Sequence, residues 1–146
     1  MDYKSLSYDE LQSVAETIQK EMESRRVSNP TDILPFLAKY RTKKQEHFLV
    51  LLLDGNHQVM RCVCVTKGTL NRTIIHPREV FYPAIKYHTC AVILAHNHPS
   101  GTLEPSEDDK AVVHRMREAG EILGIKVLDH IIFGVTGVYS FLDHGI

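Results

Sequence analysis

The stretch Ala95-His96-Asn97-His98-Pro99-Ser100-Gly101-Thr102-Leu103-Glu104-Pro105-Ser106-Glu107-Asp108-Asp109 holds the residues best suited to chemistry. His96 and His98 are two apart, so in an extended chain both imidazoles project to one side and can reach a single ion. Asp109 follows eleven residues after His98, and Pro99, Gly101 and Pro105 between them favour a reversal of the chain. Two histidines and a carboxylate leave one tetrahedral position open for water, the arrangement of catalytic rather than structural zinc sites. Ser106-x-x-Asp109 also matches a helix capping pattern, so Ser106 can serve as a cap, as a site residue, or as both. Taken singly, each of these residues has an ordinary structural reading. Their conjunction, between an apolar run and a helix start, is what points to a metal. A metal hydrolase further needs a group that takes a proton from the bound water. Glu46, at the mouth of a strongly apolar run, is the candidate among the acidic residues, although nothing local singles it out.

These residues have to be positioned by the elements around them. Cys90–Ala95 is apolar throughout and reads as a central strand buried on both sides, followed by a polar loop from His96 to Pro105. Ser106–Leu123 reads as a long helix with Ala111, Val112, Met116, Ala119 and Leu123 inward and Gly124 as its stop. Upstream, Glu46–Leu53 is a run of buried-strand type, Asp54-Gly55-Asn56 a turn, and His57–Thr66 a second strand, making a hairpin. Leu70–Ile75 reads as a weaker strand. A helix from His76 to about His88 turns Val80, Phe81, Ala84 and Ile85 inward and contains Pro83, and strands at 126–133 and 138–142 close the chain. At the start, Ser7 and Glu10 form a capping box, and Leu11, Val14, Ala15, Ile18 and Met22 follow at helical spacing from about Tyr8 to Arg25. Residues 31–40 read as a shorter helix capped by Thr31 or Asp32, with Pro35 in its first turn. The order predicts an α/β fold, a single mixed β-sheet flanked by helices. Residues 1–29 form an N-terminal amphipathic helix extension and residues 30–146 the domain.

Composition narrows the function. Seventeen basic against eighteen acidic residues give a net charge of −1, which opposes a strongly basic nucleic-acid binder; direct nucleic-acid binding is expected to be weak at most. Three cysteines, Cys62, Cys64 and Cys90, do not make a disulfide framework and suit a reducing compartment. Cys62 and Cys64 share a strand face, as a metal pair or as two buried small hydrophobes. The N-terminus lacks a leader pattern, and the longest apolar run, Phe48–Leu53, is far shorter than the roughly 18 residues of a membrane span. A cytoplasmic chain without membrane contact is expected. There is no P-loop, Gly-rich dinucleotide motif or HExxH, and a zinc deaminase would need H-x-E with a later P-C-x-x-C, both absent.

At these residues the sequence resembles the RadC-like branch of the JAMM (JAB or MPN+) zinc metalloprotease family. That family's motif, an upstream glutamate and then His-x-His-x7-Ser-x2-Asp, is matched by Glu46, His96, His98, Ser106 and Asp109. The RadC-type features are His-Asn-His-Pro-Ser-Gly at 96–101, Pro105-Ser106, Glu46-His47-Phe48, Asp129-His130-Ile131-Ile132 and Ser140-Phe141, so the resemblance covers residues 30–146. It implies a cytidine-deaminase-like α/β sandwich in which His96, His98 and Asp109 hold Zn²⁺. By the same resemblance Glu46 is the general base that activates the metal-bound water, and Ser106 stabilises the oxyanion. The implied reaction is hydrolysis of a peptide or isopeptide bond in a peptide or protein substrate whose identity stays open. The alternative is a non-catalytic zinc-binding module in a DNA repair-associated complex, favoured by the family's name and by the basic connector Arg41–Lys44. Longer RadC proteins carry a helix-hairpin-helix region, whereas residues 1–29 offer one amphipathic helix. His130 supports the site from behind, lines a substrate groove, or is a satisfied strand-end histidine. The oligomeric state is open, a dimer included.

Overall fold

All seven residues of His47–Leu53 (β1) are buried, as the apolar run Phe48–Leu53 must be when both faces of a strand are covered. The computed structural model describes residues 3–23, 25–68 and 75–146. In it β1 is flanked by β2 (Val59–Lys67) and β3 (Ala91–Asn97), followed by β4 (Lys126–Phe133) and β5 (Val138–Ser140). The sheet order is β2-β1-β3-β4-β5, with β3 and β4 parallel and the other neighbours antiparallel. This is the single mixed sheet expected from the sequence.

Strand alternation divides the core in two. Phe48, Val50, Leu52, Val92 and Leu94 pack against Val80, Phe81 and Ala84 of α3 (Pro77–Lys86) and Val112 and Met116 of α4 (Glu107–Leu123). Leu49, Leu51, Leu53, Ile93, Ala95, Ile131 and Phe133 face the other way, onto Ile33, Leu37 and Tyr40. Helix α4 is the crossover between the parallel strands β3 and β4. It passes so close to the start of β4 that an added Cβ at Gly120 would collide with the Ile125 carbonyl oxygen. Gly124 then ends the helix in the left-handed conformation, φ 71°.

Several boundaries differ from the sequence reading. β3 runs to Asn97 rather than Ala95, because His96 and Asn97 continue the parallel ladder opposite Ile132 and Phe133. Residues 31–40 are not one helix: α2 (Leu34–Leu37) is a single turn between 3-10 turns at Pro30–Ile33 and Ala38–Tyr40. Its entry is organised by Asn29 and by Asp32, whose Oδ2 accepts from the Ser28 and Asn29 amides. Ile85 and Leu123 are exposed rather than inward, at the outer margins of α3 and α4. Helix α1 (Tyr8–Glu23) forms as predicted, but Leu11 and Ile18 on its apolar stripe are exposed. The strand expected at Leu70–Ile75 falls outside the described residues except for Ile75, which is buried. No described helix is long and apolar enough to cross a membrane.

Candidate metal centre

His96 is the last β3 residue paired with β1, opposite Phe48, and pairs with Ile132 on β4; its ring stacks over Phe48 at 6.2 Å. It is therefore a strand residue, not the loop residue the sequence suggested. His98 follows directly, its amide donating to the Phe133 carbonyl at 3.1 Å. Its Nδ1 lies 2.6 Å from the Thr102 carbonyl oxygen. A carbonyl only accepts, so Nδ1 carries the proton and Nε2 faces the site. The chain reverses at Gly101, whose φ of 85° suits glycine and whose amide bonds the His98 carbonyl at 3.0 Å.

The reversal delivers the start of α4. Ser106 is the N-cap: its hydroxyl accepts from the Asp109 amide at 3.1 Å, and Asp109 Oδ2 accepts from the Ser106 amide at 2.8 Å. This capping box locks the Asp109 side chain and aims its oxygens at the histidines. Asp109 Oδ1 lies 3.2 Å from His96 Nε2, and Oδ2 lies 3.2 Å from His98 Nε2. The two Nε2 atoms are 3.0 Å apart. Ligands bonded to a tetrahedral zinc at about 2.0–2.1 Å lie about 3.3 Å from one another. The donor set thus fits zinc in both atom type and spacing, and His96, His98 and Asp109 form a group that could hold a metal ion.

The electrostatics fit the geometry. Burial works to raise the Asp109 carboxyl, but the neighbouring His96 and His98 imidazoles and the Ser106 amide outweigh it and hold the group well below the usual carboxylate range. The bond to Asp109 raises His98 above its ordinary value against the effect of burial, and the charge of Glu46 acts in the same sense. Complete burial keeps the His130 imidazole well below its ordinary value, hence neutral.

Glu46 precedes β1 and is half-buried. The β1–β3 ladder ends at Phe48 opposite His96, two residues after Glu46 and two before His98, and the charge of Glu46 acts on His98. A residue that the sequence reading did not assign holds the backbone on either side of Glu46. Asn97 points to the opposite face, where its Oδ1 accepts from the His47 amide at 2.6 Å. Its Nδ2 donates to the carbonyls of Gln45 at 3.0 Å and Lys43 at 3.4 Å. Its only signal in sequence is a polar residue ending an apolar strand. His96, His98 and Asp109 therefore come together at one end of the sheet, with Ser106 exposed at its rim and Glu46 just before β1.

His130 is fully buried, which removes the substrate-groove reading. Its Nε2 lies 2.7 Å from His96 Nδ1. The neighbouring Asp129 is structural: its carboxylate accepts from the amides of His130 at 2.7 Å and Leu142 at 3.0 Å and from the Ser140 hydroxyl at 2.5 Å, pinning the chain after β5. The cysteines stand apart from the cluster. The Cys62 thiol, half-buried, is pushed up to about 11 by burial, whereas Cys64 is exposed and not the buried hydrophobe expected.

A family model described as a RadC-like JAB domain matches residues 27–146. A UPF0758 protein of Trichlorobacter lovleyi is 45% identical over 137 residues, covering 89% of this chain and 60% of that one. A UPF0758 protein of Pelobacter propionicus is likewise 45% identical over 137 residues, with the same shares of 89% and 60%. A third, from Geotalea uraniireducens, is 46% identical over 121 residues, 82% of this chain and 53% of its own. The chain thus spans between 53% and 60% of the length of these curated relatives.

Proposed function

Since the chain belongs to the RadC-like JAB domain family, we propose that it is a zinc-dependent hydrolase of peptide or isopeptide bonds. The observation that supports this most is the pair of Nε2 atoms and one carboxylate at 3.0–3.2 Å spacing, with the charge of a second carboxylate, Glu46, acting on His98. His96, His98 and Asp109 would hold the zinc. Zinc there supplies Lewis acidity, which brings the deprotonation of water near neutral pH. The Glu46 carboxylate takes the proton from the attacking water and later delivers it to the leaving amine. The Ser106 hydroxyl donates a hydrogen bond to the oxygen on which charge develops. Asn97 keeps Glu46 within reach by fixing the backbone on either side of it.

Metal analysis and peptide hydrolysis, run on the wild-type chain and on Glu46→Gln, test this reading. Both proteins are expected to bind one zinc, and only the wild type to cleave efficiently. The loss in Glu46→Gln should be on the order of 10²–10⁴-fold, the usual contribution of a general base. A chain that takes up no zinc when zinc is supplied contradicts the proposal.

A further inference from the structure

A histidine that gives its Nε2 to a metal must carry its proton on Nδ1, and that proton needs an acceptor. For His98 the acceptor is the Thr102 carbonyl, 2.6 Å away. For His96 the atom in that place is Nε2 of His130, at 2.7 Å. Two imidazole nitrogens facing each other can share only one proton. The pair therefore has two arrangements, and they are not equivalent for the site. If His130 donates, His96 keeps its proton on Nε2, pointing at Asp109, and that nitrogen is closed to a metal. If His130 accepts, His96 Nε2 is bare.

The surroundings of His130 hold its ring in place. It is fully buried on β4, opposite Leu94. The rings of Phe48 and Phe141 meet it edge-on, at 5.5 and 5.2 Å. Its own Nδ1 has no hydrogen-bond partner among the described residues. The Nε2 contact with His96 is therefore its one polar contact among the described residues, and when Nε2 accepts there the ring's own proton sits on Nδ1.

We propose that His130 is a positioning residue: its Nε2 accepts the Nδ1 proton of His96 and so fixes the tautomer and ring orientation that present His96 Nε2 to the metal. This rests on the zinc reading above. Both metal-facing histidines would then have uncharged acceptors behind them, leaving Asp109 as the charged ligand.

The test compares His130→Gln, whose amide oxygen can take the place of Nε2, with His130→Met, which fills similar volume without a comparable acceptor. Zinc affinity is read by competition with a chelator, and fold by circular dichroism. His130→Gln should stay within about threefold of the wild type, and His130→Met should lose about 10–100-fold, the usual effect of removing such a partner. Equal affinities in two folded variants overturn the inference. In zinc-loaded wild type, nitrogen-15 NMR of the imidazoles gives a second readout that does not depend on how His130→Met folds. The proton is expected on His96 Nδ1 and absent from His130 Nε2; the reverse overturns the inference. Neither readout involves hydrolysis. A wild type that binds no zinc defeats the functional reading itself, whereas a wild type that binds zinc with His130→Met unaffected defeats this inference alone.

Discussion

Helices α1 and α4 begin with the same device. Ser7 and Glu10 cap α1 by reciprocal bonds of 2.7 and 3.3 Å, and Ser106 and Asp109 cap α4 by bonds of 2.8 and 3.1 Å. Both helices carry an apolar stripe. In α4 the stripe is buried through Val112, Val113, Met116 and Gly120, and the capping carboxylate faces His96 and His98. In α1 the stripe is exposed at Leu11 and Ile18, and the capping carboxylate is exposed too. A capping box is thus a local solution to orphan amides, and whether its acid also does chemistry depends on what the fold brings opposite it.

Removing each capping acid in turn should produce the largest contrast. Asp109→Ala is expected to lower zinc affinity by more than about 100-fold, since it removes a proposed ligand together with the cap that aims it. Glu10→Ala should leave zinc affinity unchanged in the same chelator competition. The apolar stripes should differ next. Met116→Ala is expected to cost about 2–5 kcal/mol in urea unfolding, as a core truncation does, and Ile18→Ala about 0.5 kcal/mol or less.

Acid titration separates the two carboxylates further. Both are held below their ordinary values, Glu10 by the backbone and side chain of Ser7, Asp109 by its histidine partners against the effect of burial. A depressed carboxyl stabilises the fold above its unfolded pKa, and that contribution is lost as pH falls through the folded value. Carbon-13 NMR of the metal-free chain should therefore find Glu10 protonated at a pH where Asp109 is still ionised. Among the variants at the metal centre the smallest effect on zinc affinity is expected at Asn97. Asn97→Ala should keep zinc affinity within a few-fold while reducing hydrolysis, because it frees the backbone on either side of Glu46 and touches no ligand. Equal losses in binding and turnover would show that Asn97 supports the histidines instead.

Much of this was legible in the residues. The two-residue spacing of His96 and His98 is the strand period, and it does place both rings on one face. Ser106 and Asp109 advertise a helix start, and the apolar runs mark β1 and β3. What could not be read depends on pairing between distant segments. His96 belongs to a strand because Ile132 lies beside it. His130 reaches His96 because the parallel register sets it opposite Leu94, two residues before His96 on β3. Asn97 matters because of backbone carbonyls more than fifty positions upstream. The exposure of α1 was hidden for the opposite reason: its periodicity promises a partner surface, and periodicity cannot say whether that surface is present.

X-ray absorption at the zinc edge of the zinc-loaded chain tests the metal centre most directly. Two imidazole nitrogens and oxygen ligands are expected in a four-coordinate shell at about 2.0–2.1 Å, with one imidazole missing in His96→Ala. A sulfur shell at about 2.3 Å would place the metal at the cysteines and contradict the site described here, as would a zinc spectrum unaltered by His96→Ala.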